Sequence, residues 1–338
     1  MTVLCTAVLC FASVAGAEDF RIEDVAAARS VDVANLKSGT IVFSDHTGSG
    51  AVDSETALVH FDAWSAKEPV EKKFLALFPG YTEPTVTKMV SGSATQVLEK
   101  LYMYVAQARF LVDKAPSAID LSRYVTMPFI EKIDPAIKHQ PLAASDVGPF
   151  TDEGGTGNDN PDRKWCTGHP NVVCIQSVYK LEGKIPMGIM LVNKIRDTKK
   201  VADHIDFQSE LSALSGADVD QAALQELTGL DTPVVGVLTQ DIFHVNQIMK
   251  FGKLLAVFQA HPTDPHKTVV SAFMSLAIKA SVLDEKRGFE NVPVLRNLVP
   301  AQVLMGQSSF NSGNSISGGL PKYARNEIKT IAGILAGK

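Results

Sequence analysis

Hydrophobic positions follow one period before residue 145 and another after residue 170. In the first half, Val97, Leu101, Val105, Ala108 and Val112 recur every three or four residues behind a Ser93/Gln96 capping box, which predicts a helix over 94–113. Pro116 stops it, and Ile119, Leu121, Tyr124, Phe129, Ile130 and Ile133 predict a second, less regular helical segment up to about 138. Upstream, the alternation from Ala57 to Trp64 predicts a strand, followed by a short helix over 69–78.

After residue 170 the period becomes two. Segments 172–181 and 185–196 flank Glu182-Gly183-Lys184 and predict a hairpin. Segment 204–211 alternates, with Ile205, Phe207 and Leu211 on one face and His204, Asp206, Gln208 and Glu210 on the other. A helical insert over 218–228, capped by Asp218 or Asp220, precedes strands at 233–242, 253–261 and 268–282. Leu320-Pro321 then opens a helix with the stripe Ala324, Ile328, Ile331 and Leu335, closed by Gly337.

The two halves meet at residues 145–170, rich in Gly, Asp, Asn and Pro, which predict a long loop of the kind that carries function or disorder. Charge shifts at the same place: residues 18–165 hold 22 acidic and 15 basic side chains, residues 166–338 hold 15 and 17. With 338 residues, 45% of them hydrophobic, the chain can bury a full core. The net charge of -5 argues against a nucleic-acid partner.

Val3 to Ala17 is uncharged and apolar and ends in Ala15-Gly16-Ala17, the pattern of a cleaved export signal, although no Lys or Arg precedes it. Cleavage near Ala17 would place the mature protein in the periplasm or outside the cell and leave two cysteines, Cys166 and Cys174. In an exported chain, two cysteines eight positions apart predict one disulfide, worth about 2 to 3 kcal/mol for so short a loop.

This element order resembles the helix-grip fold of the START-like lipid-binding superfamily, and Gly318-Gly319-Leu320-Pro321-Lys322-Tyr323 is similar to the turn that opens the last helix in many members. The resemblance covers 57–337. It implies an α+β fold: a curved antiparallel sheet wrapped around a long C-terminal helix, with an N-terminal helical segment. It divides the chain into the signal at 1–17, an extension at 18–56 and one START-like domain at 57–338. The 145–170 loop and the roughly 35 residues between the last strand and the helix depart from the family pattern. The fold implies a cavity for a lipid or other hydrophobic small molecule, with transient contact with a membrane surface and no cofactor. Candidate cavity residues are Ile189, Leu191, Ile205, Phe207, Leu255, Val257, Met274, Leu276, Ile328 and Ile331.

Other chemistry is sparse. His261, Asp264 and His266 fall within six residues but also suit a turn; Cys166, His169 and Cys174 match no standard zinc spacing, so no metal is expected. Gly306-Gln307-Ser308 starts like a nucleophile elbow without its closing Gly, inside a Ser/Gly/Asn-rich stretch at 306–319 that suits a surface loop or a gate. Lys199-Lys200 and Lys286-Arg287 are small basic clusters. Two alternatives to a carrier stand: a secreted hydrolase or cyclase-like enzyme using Asp241, His244 or His204, and an envelope interaction protein with a filled core that binds through 145–170.

Overall fold

The computed structural model describes residues 20–45, 69–78, 81–133, 135, 137–147, 164–167, 171–180, 204–245, 249–279 and 316–337. Its strands are β1 (Arg21–Asp24), β2 (Thr40–Asp45), β3 (Thr85–Val90), β4 (Ser93–Leu98), β5 (Leu101–Val112), β6 (Lys138–Pro141), β7 (Val172–Lys180), β8 (His204–Ser215), β9 (Val234–Val245), β10 (Met249–Ala260) and β11 (Thr268–Lys279). The α-helices are α1 (Pro69–Ala76), α2 (Met127–Ile133), α3 (Gln221–Thr228) and α4 (Ile316–Ala336). Nine strands form one sheet in the order β1-β2-β5-β11-β10-β9-β8-β7-β6. Only the β1/β2 pair is parallel.

The predicted helix at 94–113 is instead the strand pair β4 and β5. Ser91 and Gly92 both take positive φ, 51° and 85°, and turn β3 back into β4 as a two-residue hairpin. That hairpin stands as its own two-stranded sheet. Twelve-residue β5 then enters the large sheet between β2 and β11, covered on both faces. Tyr104, Ala106, Ala108, Phe110 and Val112 pack on one face of the sheet, while Met103 and Leu111 pack into clusters on the other. A strand buried on both faces carries no clean alternation, and its apolar residues fall on helical spacing by accident.

The second helical segment is also shorter than predicted. Residues 121–124 form a 3₁₀ turn, α2 covers 127–133, and β6 occupies the end of the expected helix. Gly236 lets the turn settle onto β9: a Cβ there would lie 2.7 Å from the Leu214 carbonyl oxygen and 2.5 Å from Leu121 Cδ1. The predicted strand at 57–64, the hairpin arm at 185–196 and the last residues of 268–282 lie outside the described residues. Where the hairpin was expected, β7 pairs with β8.

The expectations for the remaining elements hold more closely. Asp220 caps α3 through a hydrogen bond from the Ala223 amide (3.0 Å), and left-handed Gly229 ends it. The last helix begins at Ile316, so Pro321 sits inside it rather than at its first position. A proline forfeits one bond to the carbonyl four residues back, which does not prevent the preceding residues from being helical. Left-handed Gly337 closes α4, and Lys114 Nζ donates to the Leu335 carbonyl (2.7 Å), a cation at the negative end of the helix dipole.

Both faces of the sheet are covered. On one face, α4 lays Ala324, Ile328, Ala332 and Leu335 against Phe43, Phe110, Val270 and Phe258. On the other, Phe74, Leu75 and Phe78 of α1 and its end join Leu224 and Leu227 of α3 over Val237, Phe251, Val257 and Phe273. Buried Arg109 ties this back layer together, donating to Ser271 Oγ (3.2 Å) and to the carbonyls of Val31 (3.0 Å) and Thr228. Burial, with Arg29 adding repulsion, lowers the Arg109 pKa to about 10.

Candidate functional site

Register decides where the front face is full and where it is empty. One row across the sheet runs Ile41, Phe110, Val270, Phe258 and is bulky. The next runs Phe43, Ala108, Ala272, Ala256, Leu238, with three consecutive alanines in directly paired positions on β5, β11 and β10. A third runs Ala106, Met274, Leu254, Gln240. Methyl groups cannot reach a helix held up by phenylalanines in the row beside them. A cavity of about 140 Å³ remains above the alanines, close to the size of an apolar cavity that accepts a benzene-sized guest.

Tyr323, Ala324, Glu327, Ile328 and Ile331 of α4 roof this space, and Tyr124, Phe129, Ile130 and Ile133 close one side. Tyr124 meets Phe129 edge to face at 5.1 Å, and burial raises its pKa. The walls are mostly apolar. Polar exceptions are Gln107, Thr239, the buried Glu327, Gln240, which donates to Ser209 Oγ (3.3 Å), and His139, whose Nδ1 lies 2.9 Å from Ser177 Oγ.

A charged clasp holds the roof at the β1/β2 edge. Arg325 donates to Asp24 (2.6 Å) and Asp45 (3.0 Å) and lies 4.3 Å above the Phe43 ring centre, while the Tyr104 hydroxyl donates to Asp45 (2.8 Å). Burial, together with the Asp45 charge, pushes the Tyr104 hydroxyl well above its ordinary pKa. For Arg325, burial works downward, but Asp45 and Asp24 outweigh it and the pKa rises.

Of the predicted cavity residues, Phe207, Met274, Ile328 and Ile331 line this space together. Leu255 borders it but packs in the back cluster with Val257. Leu276 belongs to the front cluster away from the cavity wall. Ile205 lies in β8 with its side chain outside the description, and Ile189 and Leu191 fall outside the described residues. Sequence reasoning missed the floor, Ala106, Ala108, Ala256 and Ala272, and the polar His139 and Glu327. Even positions on β10 face the cavity cluster, and the odd positions Leu255 and Val257 face away; in Lys253-Leu-Leu-Ala-Val-Phe258 nothing marks the difference.

Of the candidate acid/base residues, Asp241 and His244 do not converge on the cavity. Asp241 faces the back, where it pairs with fully buried Lys253. His244 stands opposite Gln208 and does not line the cavity; His204 stands opposite Lys180 in the sheet, and its side chain lies outside the description. His261 Nδ1 accepts hydrogen bonds from the amides of Thr263 (3.3 Å) and Asp264 (3.0 Å), and Asp264 accepts from His266 N (3.0 Å), so these residues build a hairpin turn.

The back face carries its own polar row, Ser275, Lys253, Asp241, Glu210 and Cys174, in directly paired positions on β11, β10, β9, β8 and β7. Lys253 Nζ lies 5.4–5.9 Å from the ring centres of Phe78, Tyr81, Trp165 and Phe251. Trp165 stacks on Phe243 at 4.1 Å. The predicted disulfide joins Cys166 to Cys174. Glu210 accepts from the Cys166 amide (2.7 Å) and brings a carboxylate within 4.8 Å of both sulfurs. This is the one group of three potential metal ligands among the described residues, and its sulfurs are bonded to each other.

Among the described residues, no helix is long and apolar enough to cross a membrane. No protein-family model matches the sequence, and no curated protein matches it. Among solved structures, the chain is similar to norcoclaurine synthase from Thalictrum flavum in complex with dopamine and hydroxybenzaldehyde, at 8% identity and a TM-score of 0.27 over 62% of this chain and 90% of that one. It is also similar to Ara h 8.0201, at 9% identity and a TM-score of 0.28 over 70% of this chain and 99% of that one. Human STARD10 gives 8% identity and a TM-score of 0.25 over 70% of this chain and 80% of that one. With TM-scores this low, the cavity has to be read from this chain's own residues.

Proposed function

We propose that this is an exported, non-enzymatic protein that binds a lipid or another hydrophobic small molecule beneath α4. The observation that carries the reading is the apolar cavity over Ala108, Ala272 and Ala256, bordered by a bulky row that keeps the helix from collapsing onto it. A filled core would have placed leucine or valine there. The cavity takes one ring or one short chain segment, so a longer ligand would leave part of itself outside. Transient contact with a membrane surface would supply such a ligand. The disulfide supports export after cleavage near Ala17, since such bonds persist in oxidising compartments.

Native mass spectrometry of the protein from its source envelope, coupled to lipid extraction, tests this. One hydrophobic molecule per chain is expected, and it should be absent from Ala108→Trp, whose indole occupies the cavity. A clean apo mass, with no binding of a fluorescent fatty-acid probe by the wild type, overturns the reading. An enzymatic alternative draws on one observation, that His139 and Glu327 line the same cavity. It requires the co-purified molecule to change chemically on incubation with the protein, and requires Glu327→Gln to stop that change.

A further inference from the structure

The back-face row has no part in ligand binding, yet it places a buried carboxylate beside a disulfide whose two ends differ. Cys174 is buried within β7, whereas Cys166 is half-buried in the chain ahead of it, with exposed Lys164 and Thr167 on either side of the Trp165-Cys166 pair. Cys166 holds a left-handed backbone, φ 64°, which is strained for any residue with a side chain. Glu210 grips the Cys166 amide and places a carboxylate within 4.8 Å of both sulfurs. A loop staple needs neither the carboxylate nor the asymmetry.

We infer that Cys166–Cys174 is a reversible dithiol/disulfide centre, in which Cys166 is the sulfur that meets external thiols and Glu210 is the proton acceptor for Cys174. The co-reactant is a low-molecular-weight disulfide such as oxidised glutathione. The Cys166 thiolate attacks one of its sulfurs, the glutathione disulfide bond breaks, and one glutathione thiolate leaves while a Cys166–glutathione mixed disulfide forms. The Glu210 carboxylate takes the proton from the Cys174 thiol. The resulting thiolate attacks Cys166 Sγ, closes the protein disulfide and expels the second glutathione thiolate; both thiolates and Glu210 then equilibrate their protons with solvent. In sum, the protein dithiol loses two electrons and two protons and the glutathione disulfide gains them. The reverse sequence reduces the protein.

The full-length protein, kept folded, is titrated in glutathione redox buffers, trapped by alkylation and weighed. Reversible exchange without unfolding is expected. Cys174→Ser should accumulate the mixed disulfide on Cys166 at least tenfold faster than Cys166→Ser does on Cys174. In Glu210→Gln, which can still accept from the Cys166 amide, ring closure from the mixed disulfide should slow by about 10²-fold, the low end for a lost general base. A disulfide that resists glutathione until the protein is denatured overturns the inference, as do equal rates in the two Ser variants. An unchanged closure rate in Glu210→Gln removes Glu210 from it. None of these outcomes depends on the front cavity holding a ligand.

Discussion

The two faces of the central sheet use neighbouring positions of the same strands and solve opposite problems. On the front, Ala106 and Leu254 floor a cavity, and the alanine row beside them leaves it empty. One residue along each strand, on the back, Ser275, Lys253, Asp241 and Glu210 fill the space with buried charge and hydrogen bonds under aromatic rings. An apolar void costs only the dispersion contacts of its lining, and an apolar guest restores them. Charge tolerates no such slack: a buried ammonium needs its carboxylate at contact distance. The back face therefore holds the strands in register while the front face stays free to accept a guest.

The largest effect should come from breaking the back. Lys253→Met removes the ammonium that faces Asp241 and should cost about 3 to 5 kcal/mol, read as a lowered denaturation midpoint with unchanged m-value. If the loss stays well below that, the two faces are not energetically different as described. On the front, Ala272→Phe should weaken binding of an apolar fluorescent probe by at least about tenfold, or about 1.4 kcal/mol, while moving stability less than Lys253→Met does. A destabilisation equal to that of the charge variant would mean the space is already filled.

The clasp matters less to stability than the buried back-face pair. Arg325→Met should lower stability by about 1.5 to 3 kcal/mol, as expected for hydrogen bonds to charged groups, and loosen ligand retention by freeing one end of the roof. The measurement is paired thermal unfolding and ligand off-rate. Smallest is the alkaline response of Tyr104. Its folded pKa is raised, so above about pH 10 the unfolded state releases a proton that the folded state keeps. Its share of stability is therefore complete below pH 10 and lost as pH climbs beyond it. Tyr104→Phe should flatten the fall in stability above pH 10, checked by urea titrations at stepped alkaline pH.

Much of this arrangement was visible in the sequence, and the rest was hidden for definable reasons. Strands β8 to β11 announce themselves by Val, Ile and Phe content and by turns such as His261-Pro262, and the Asp220 and Gly229 caps mark α3. The cysteine pair was legible from its spacing together with the expected export signal, whose cleavage would leave just these two. β5 was not, because a strand buried on both faces carries no period, and the helical spacing of Val97, Leu101 and Val105 was accidental. The cavity floor was invisible for a related reason. Its signal is the pairing of Ala108 with Ala272 and of Ala272 with Ala256, about 160 and 16 residues apart, and only register makes three ordinary alanines into one surface. Lys253 reads as a surface residue until its partner Asp241 is found across the strand.

The position of α4 in the chain carries a consequence for biogenesis. It follows every strand in sequence, and β5 must wait for β11, more than 150 residues later, before the sheet centre exists. During synthesis the alanine floor and its phenylalanine border are therefore bare apolar surface until the final helix emerges and docks, a state prone to aggregation and to capture by chaperones. A ligand present at that moment would act as a template for the helix. Occupied protein would then be made by folding around its cargo, and exchange in the finished molecule would require the roof to lift again.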